Sequence, residues 1–272
     1  MKRGGGRKRL SAVAEPELET KEDPGRVPEA ETVPGFPGMD IGKDAAARKP
    51  STMSRHVHQD LEAALSLERF ARYQEWAGGD RARALEFYAL NTRLSEALYT
   101  PLQMLEVVLR NRIHTVMSEA RHDRWFEDEG FLAIDNQKRQ LMKALEEVAR
   151  SGREPTAGRV VASLTFSFWT SMLAPAYEDL WQRTLHHIAR RENGKGLRRK
   201  DLSRPLAPIR TLRNRVAHHE PILQWDLPRQ YANILQITRW LSPAAAGWCE
   251  QHSRFEEIYP EQGVLLRGGT SA

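Results

Sequence analysis

Cysteine and long apolar runs are both scarce in this sequence, and each absence excludes a class of protein. Cys249 is the single cysteine among 272 residues, which excludes an intrachain disulfide and a cluster of thiolate metal ligands. No apolar run approaches the length of about 18 residues that a transmembrane helix needs. The basic N-terminus runs into Glu15 and Pro16 without an apolar segment, so it does not resemble a secretory signal. We therefore expect a cytoplasmic protein with no membrane partner.

The overall composition is that of an ordinary globular protein. Hydrophobic residues make up 40% of the chain and charged residues 28%, which is enough for one sizeable core. The formal net charge of +5 is compatible with a nucleic-acid partner, but it is equally typical of a soluble protein with a charged surface. Charge alone therefore assigns no function.

The first 52 residues differ from the rest of the chain. They are rich in proline and glycine, and Phe36 is their only aromatic residue. Such a segment buries too little apolar surface to offset the entropy lost on ordering. The sequence therefore predicts a disordered tail over residues 1–52, a helical domain over 53–258 and a flexible C-terminal tail over 259–272.

Apolar residues in the central part recur every three or four positions, and no alternating strand pattern or internal repeat appears. Gly78-Gly79 predicts a break between helices, Asp80 a helix N-cap, and Pro101 the first position of a new helix. This pattern indicates an all-α fold. Further helices are predicted over residues 135–150, 228–241 and 243–252.

One predicted helix, from Leu206 to about His219, ends in polar residues suited to chemistry. Pro205 opens it, and Pro221 disfavours helical geometry in the residue before it, so the helix should finish near His219. His218 then lies in the last turn, beside the unpaired carbonyls at the helix end.

Helical geometry divides the polar residues of this segment. Asn214 and His218 are one turn apart and share a face. Arg213 lies beside the apolar stripe, roughly 140° around the helix from His218. These side chains can therefore share a ligand only if the last turn distorts or a second subunit supplies part of the site.

The segment Leu212–Pro221 contains the residue types that are required to cleave a phosphodiester. An arginine holds a phosphate bidentately, and a histidine moves a proton to or from a ribose oxygen. RNA supplies its own nucleophile, the 2′-hydroxyl, so this chemistry needs no metal. The segment predicts an RNA-cleaving site. A helix C-cap, in which His218 or His219 binds the last carbonyls and Arg213 pairs with an acid, is the open alternative.

The segment Arg213–Ile222 resembles the signature of Abi-like (abortive infection) proteins, the AbiD/AbiF-type group within the HEPN superfamily. The resemblance covers about residues 60 to 258 and follows the order of the family's motifs. Five further segments also resemble the family's motifs: Leu98–Asn111, Gly158–Trp169, Tyr177–Trp181, Trp240–Pro243 and His252–Phe255.

The resemblance implies an all-α, HEPN-like helical bundle with additional helices, and an R-x4-6-H site in a homodimer. Such members are endoribonucleases that need no metal or other cofactor, and they act in phage defence by growth arrest or as toxins with a cognate antitoxin. By the motif, Arg213 would hold the scissile phosphate, Asn214 would orient His218, and His218 would transfer a proton. His219 is a second, less certain histidine.

Four other residues are candidates for supporting the site or binding RNA: Arg210, Glu106, Arg110 and Asn111. Glu106 and Arg110 are four residues apart and could pair on a helix surface, so a structural role is the more ordinary interpretation. The nearby run Arg110–His114 resembles a second motif, but its histidine comes one residue too early. The loop Arg190–Lys200 contains six basic residues and is either a solvated loop or a phosphate-binding one.

No metal site is expected. The adjacent histidines His186-His187 and His218-His219 point about 100° apart on a helix, which serves a shared ion poorly. Two other functions remain open. One is a non-catalytic helical RNA-binding or protein-interaction module in which the motif is structural. The other, a DNA-binding regulator, is less favoured because no helix-turn-helix spacing stands out.

Overall fold

In the computed structural model, which describes residues 64–65 and 67–267, every regular element is a helix. No β-strand occurs in this part of the chain, so the predicted all-α class is confirmed for it. The predicted disordered tail over residues 1–52 lies outside the described residues.

The helices are numbered here in chain order. They are α1 (Leu67–Trp76), α2 (Arg81–Ala120), α3 (Asp135–Arg150), α4 (Ala157–Ser163), α5 (Phe166–Ser171), α6 (Glu178–Arg183), α7 (Arg199–Ala217), α8 (Leu227–Leu241), α9 (Pro243–His252) and α10 (Phe255–Ile258). Short 3-10 turns cover Trp125–Glu127, Pro175–Tyr177 and Leu185–Ile188. The predicted bounds of α3, α8 and α9 agree with the structure to within one residue.

The turn between α1 and α2 forms as predicted. Gly78 and Gly79 have φ values of 65° and 85°, a left-handed conformation that glycine adopts without a steric penalty. The Asp80 side chain accepts a hydrogen bond from the backbone N–H of Arg83 at 3.1 Å and caps the first turn of α2.

Helix α2 does not restart at Pro101, so that prediction is wrong. Its 40 residues run through Pro101, which is buried inside the helix. A proline in a helix interior costs about 3 kcal/mol or more. Burial of the surrounding leucines offsets this cost, since each contributes about 1.5–3 kcal/mol. Leu98, Leu102, Leu105 and Leu109 are all between 0% and 4% exposed.

Helix α7 is also longer than predicted at its start. It begins at Arg199 rather than Leu206, and it contains both Pro205 and Pro208. Asp201 fixes its N-terminus, because one carboxylate oxygen accepts hydrogen bonds from the Arg198 backbone and from the Arg191 side chain at 3.1 and 2.9 Å. The last residues of the predicted basic loop therefore form the first turn of α7.

Helix α2 lies at the centre of the described part of the chain. Helices α1, α5, α7, α8, α9 and α10 and the turn Leu185–Ile188 all pack against it. Helix α8 also packs against α7 and α9, while α3 packs against α4 and α5. The apolar face of α2 is thus covered on several sides, and its remaining polar side chains mark where a site can form.

A buried polar network joins α3 to the segment before α6. The Gln137 side-chain amide donates to the carbonyl of Phe168 at 2.9 Å, and the Tyr177 hydroxyl donates to Gln137 Oε1 at 2.6 Å. The same hydroxyl accepts from the backbone N–H of Ala133 at 3.0 Å. Burial raises the pKa of Tyr177, so the hydroxyl keeps its proton at neutral pH.

The start of the predicted C-terminal tail lies against α1 and α2. The backbone N–H of Arg267 donates to the carbonyl of Trp76 at 2.9 Å, and the Arg83 guanidinium donates to the carbonyl of Leu265 at 3.3 Å. The remainder of that tail, residues 268–272, lies outside the described residues. None of the described helices is long and apolar enough to cross a membrane.

We predict that Tyr177→Phe lowers the free energy of unfolding by about 1–3 kcal/mol, because it leaves Gln137 Oε1 and the Ala133 N–H buried with one partner fewer. Urea denaturation followed by circular dichroism measures the change. Tyr99→Phe is the matched control, since Tyr99 is 62% exposed. Equal stabilities for the two variants would show that the network is not stabilising.

Candidate active site

A cavity of about 470 Å³ lies between α2 and the end of α7. Four of its lining residues are candidates from the sequence: Glu106 and Arg110 from α2, Arg213 from α7, and His219 just beyond α7. The cavity therefore holds two guanidinium groups, one carboxylate and one imidazole.

Arg213 is held in place by Glu106. Its Nε donates to Glu106 Oε2 at 3.1 Å, and the side chains are 37% and 20% exposed. A partly exposed ion pair of this kind adds little net stability. Within the described residues, the terminal Nη1 and Nη2 groups of Arg213 make no hydrogen bond. The pair therefore orients the guanidinium and leaves its two terminal donors for a ligand.

The surface pair between Glu106 and Arg110 is not formed. Arg110 instead donates through Nε to the side-chain oxygen of its neighbour Asn111, at 3.3 Å. Asn111 itself is exposed and does not line the cavity. Of these three residues on α2, Glu106 is the one that contacts the motif.

Helix α7 ends at Ala217, two residues before the predicted end. The backbone N–H of His219 donates to the carbonyl of Val216 at 3.2 Å, and the N–H of Glu220 donates to the carbonyl of Arg215 at 2.8 Å. These two bonds make a Schellman motif, which closes the helix before Pro221 is reached.

His219 occupies the left-handed position of this motif, with φ 56°. It is the only non-glycine residue with a positive φ among the described residues. Glycine usually takes this position because a side chain there is sterically strained. Backbone strain of this kind concentrates at functional sites.

Two contacts, one on each side, hold the turn that contains His219. Arg69 donates from Nη1 to the carbonyl of His219 at 3.4 Å. Glu220 forms an ion pair with Arg215, with Nη1 and Oε2 3.2 Å apart. The turn is thus held against α1 on one side and against its own helix on the other.

The two histidines occupy different places. His219 lines the cavity with Arg213 and also a second cavity of about 560 Å³, which His252 and Arg254 line as well. His218 is the C-cap residue of α7, is exposed, and lines neither cavity.

Asn214 is exposed on α7, and no hydrogen bond joins its side chain to that of His218 among the described residues. The structure therefore brings Arg213 together with His219 and leaves Asn214 and His218 on the helix surface. Arg210 lies farther back on α7 and lines a different groove.

Asn91 is a residue of the site that the sequence-based reasoning missed. Its side-chain oxygen accepts a hydrogen bond from the backbone N–H of Ile222 at 2.8 Å, and it is only 4% exposed. This bond fixes the chain that follows the histidine turn onto α2. A signal was present, because Asn91 is a polar residue in the apolar stripe that includes Ala84, Leu94 and Leu98.

The run Arg110–His114 on α2, which resembles a second motif, makes packing contacts with other parts of the fold. Arg112 donates from Nε and Nη2 to the carbonyls of Ile188 and His187, both at 3.0 Å. His114 accepts from the indole N–H of Trp125 at 3.2 Å, and burial lowers its pKa although Asp123 acts in the opposite direction.

The paired histidines do not assemble a set of metal ligands. The rings of His186 and His187 lie 3.9 Å apart, and His186 contacts the carbonyl of Trp181 at 3.1 Å. Within the part of the chain that is described, no three His, Cys, Asp or Glu side chains come together in a way that could hold an ion.

In comparisons with known proteins, no family model matches the sequence, and no curated protein and no solved structure matches it either.

We predict that His219→Gly raises the free energy of unfolding by up to about 1 kcal/mol, because glycine relieves the left-handed strain. His219→Val should lower it by about 1–2 kcal/mol, since a β-branched residue fits that conformation poorly. Urea denaturation measures both. His218→Gly is the control, because His218 has φ −97° and offers no strain to relieve. A loss of stability in His219→Gly would contradict the assignment of backbone strain to His219.

Proposed function

We propose that this chain is a metal-independent endoribonuclease with an HEPN-type helical core. Its role would be that of the Abi-like proteins it resembles, namely phage defence by growth arrest or as a toxin with a cognate antitoxin. The observation that carries the proposal is the cavity where Arg213, held through Nε by Glu106, shares the walls with His219 and Arg110. Two guanidinium groups, one of them paired with a carboxylate, and an imidazole in one cavity suit a phosphodiester.

In the proposed reaction, the terminal amino groups of Arg213 bind the scissile phosphate. One imidazole accepts the proton of the ribose 2′-hydroxyl as its oxygen attacks phosphorus. The bond from phosphorus to the 5′-oxygen breaks, and a second imidazole donates a proton to that leaving oxygen. The products are a 2′,3′-cyclic phosphate and a 5′-hydroxyl.

His218 and His219 are the two groups proposed for these proton transfers. His218 is the histidine that the motif assigns, and His219 lines the cavity with Arg213. As adjacent residues at the end of α7, they leave the helix in different directions, because His219 alone adopts a left-handed backbone. The transesterification requires a general acid and a general base on either side of one phosphate. Because His218 lines neither cavity of its own chain, it would reach that phosphate across a dimer interface.

A homodimer is part of the proposal. Asn214 and His218 are exposed, and their side chains make no hydrogen bond within the described residues. A second copy that brings its own α7 to this surface would face the two motifs toward each other. Asn214 would then act on a histidine or on RNA across the dimer interface.

We predict that the purified protein cleaves single-stranded RNA of mixed sequence in the presence of EDTA. His218→Ala and His219→Ala should each lower the rate by about 10²–10⁴-fold, the range for loss of a proton-transfer group. Arg213→Ala should lower it by about 10²–10³-fold, the range for loss of a donor that stabilises the transition state. Gel electrophoresis of labelled RNA measures cleavage, and His122→Ala is the matched surface control. If the three variants are folded and cleave like the wild type, the site assignment is wrong.

A non-catalytic helical module that binds RNA or protein is the second candidate, and one observation favours it. Arg213 pairs with an acid, which is the structural role open to this residue. In that case the chain cleaves no RNA, and His218→Ala at the C-cap of α7 lowers the melting temperature. The same variants therefore decide between the two functions.

Glu106 gives a separate prediction, because its proposed role is to position Arg213. Glu106→Gln keeps an oxygen acceptor for Arg213 Nε and should retain most of the cleavage rate. Glu106→Leu removes that acceptor and should raise KM more than it lowers kcat, since phosphate binding by the guanidinium suffers. Steady-state kinetics measures the changes in KM and kcat separately. Equal losses in both variants would show that the Glu106 charge itself takes part in the reaction.

A further inference from the structure

A groove that is separate from the two cavities described above lies on the N-terminal half of α7, where this helix meets the end of α5 and the turn at Pro175. Its volume is about 350 Å³. Four basic residues line it, and no acidic residue does so among the described residues. The basic residues are Arg199, Lys200, Arg204 and Arg210.

One of the four charges is already used within the fold. Arg199 is 5% exposed, and it donates to Glu178 Oε2 and to the carbonyl of Leu173, both at 2.6 Å. The hydrogen bond from Arg199 is the main reason why the pKa of Glu178 lies below its usual range, and the charge of Lys200 adds to it. Arg199 therefore stabilises the wall of the groove rather than a ligand.

The other three cations are open. Within the described residues, Lys200, Arg204 and Arg210 make no hydrogen bond and no ion pair, unlike most arginines of this domain. Lys200 and Arg204 are exposed and Arg210 is half-buried. Three positive charges that make no hydrogen bond or ion pair, in one groove, attract a ligand with several negative charges.

The uncharged lining also fits phosphate. Ser171 and Ser203 place two hydroxyl groups in the groove, and neither makes a hydrogen bond within the described residues. Hydroxyl groups and cations together are usual partners of nucleic-acid phosphates.

The groove lies on the face of α7 that ends at His218. Lys200, Arg204, Asn214 and His218 fall on one face of the helix at regular helical spacing. At a rise of about 1.5 Å per residue, Arg204 and Asn214 are about 15 Å apart along the axis. A strand that lies in the groove and follows this face therefore reaches the end of α7.

We propose that the groove lined by Lys200, Arg204 and Arg210 binds the phosphate backbone of single-stranded RNA and guides the strand along α7 to His218. The guiding role depends on the proposed nuclease function. The binding role does not, so the two are tested separately. A groove without aromatic lining predicts contacts to the backbone and hence little preference for base sequence.

The test uses the full chain and a fluorescent single-stranded 2′-O-methyl RNA, which lacks the nucleophile and stays uncut. Fluorescence anisotropy at several salt concentrations gives the affinity and its salt dependence. The variant Lys200→Gln/Arg204→Gln/Arg210→Gln is compared with Arg93→Gln/Arg139→Gln/Arg153→Gln. The control set loses the same charge from exposed arginines that do not line the groove.

The groove variant should bind at least about tenfold more weakly at low salt, and its slope of log affinity against log salt should fall by about 2, since each phosphate contact on a single strand contributes about 0.7. The control variant should keep the wild-type slope. If the two variants behave alike, the proposal is overturned. It is also overturned if poly-glutamate displaces the RNA as well as unlabelled RNA does, because the groove would then fit an acidic protein.

Failure of the nuclease proposal gives a different pattern. A wild-type chain that binds the uncut RNA through the groove but never cleaves ordinary RNA supports the groove and contradicts the nuclease. Circular dichroism checks that the triple variant folds. If it does not, Arg204→Gln alone carries the test, with an expected fall in slope of about 0.7.

Discussion

Burial of the apolar stripe of α2 is the constraint on which the rest of this structure depends. Six other helices pack against α2, and its continuity through Pro101 keeps its whole length available to them. Because the helix is unbroken, Asn91 and Glu106 keep a separation of about 22 Å along its axis. Asn91 holds the chain after the histidine turn and Glu106 holds Arg213, so one rigid element locates both ends of the candidate site.

The site combines stabilising contacts with a strained position. A Schellman motif closes α7, and the Arg215–Glu220 ion pair supports it, yet a histidine occupies the residue where glycine fits best. The same residue thus completes the helix through its backbone and places its imidazole in the cavity that Arg213 also lines. This dual use explains why a capping interpretation and a catalytic interpretation of the motif agree on most contacts and differ only in what the side chains do.

Much of the fold could be predicted from periodicity and capping residues. Asp80 and the bounds of α3, α8 and α9 follow from local patterns, and the structure confirms them. The predictions that Pro101 and Pro205 open helices are wrong for the same reason. Local preference places Pro101 and Pro205 at helix starts, but burial of apolar neighbours on both sides outweighs that preference, and no local pattern reveals it.

The candidate site shows a similar limit. Ideal helix geometry puts Asn214 and His218 on one face and Arg213 well away from it, and that angular argument is independent of packing. It could not give the partner of Arg213, because Glu106 comes from a helix far away in the sequence. Nor could it give the left-handed turn at His219, which depends on a hydrogen bond from Arg69 and on the closing bonds of α7.

The contacts that define the site also set the order in which it can form. Glu106 and Arg213 are 107 residues apart, Asn91 and Ile222 are 131 apart, and Arg69 and His219 are 150 apart. Contacts of such long range form late, after the local helices. During synthesis, a growing chain therefore carries α1 and α2 for most of its length without a functional cavity. If the chain does cut RNA, it remains harmless to its own message until the residues after α7, through Ile222, have emerged from the ribosome.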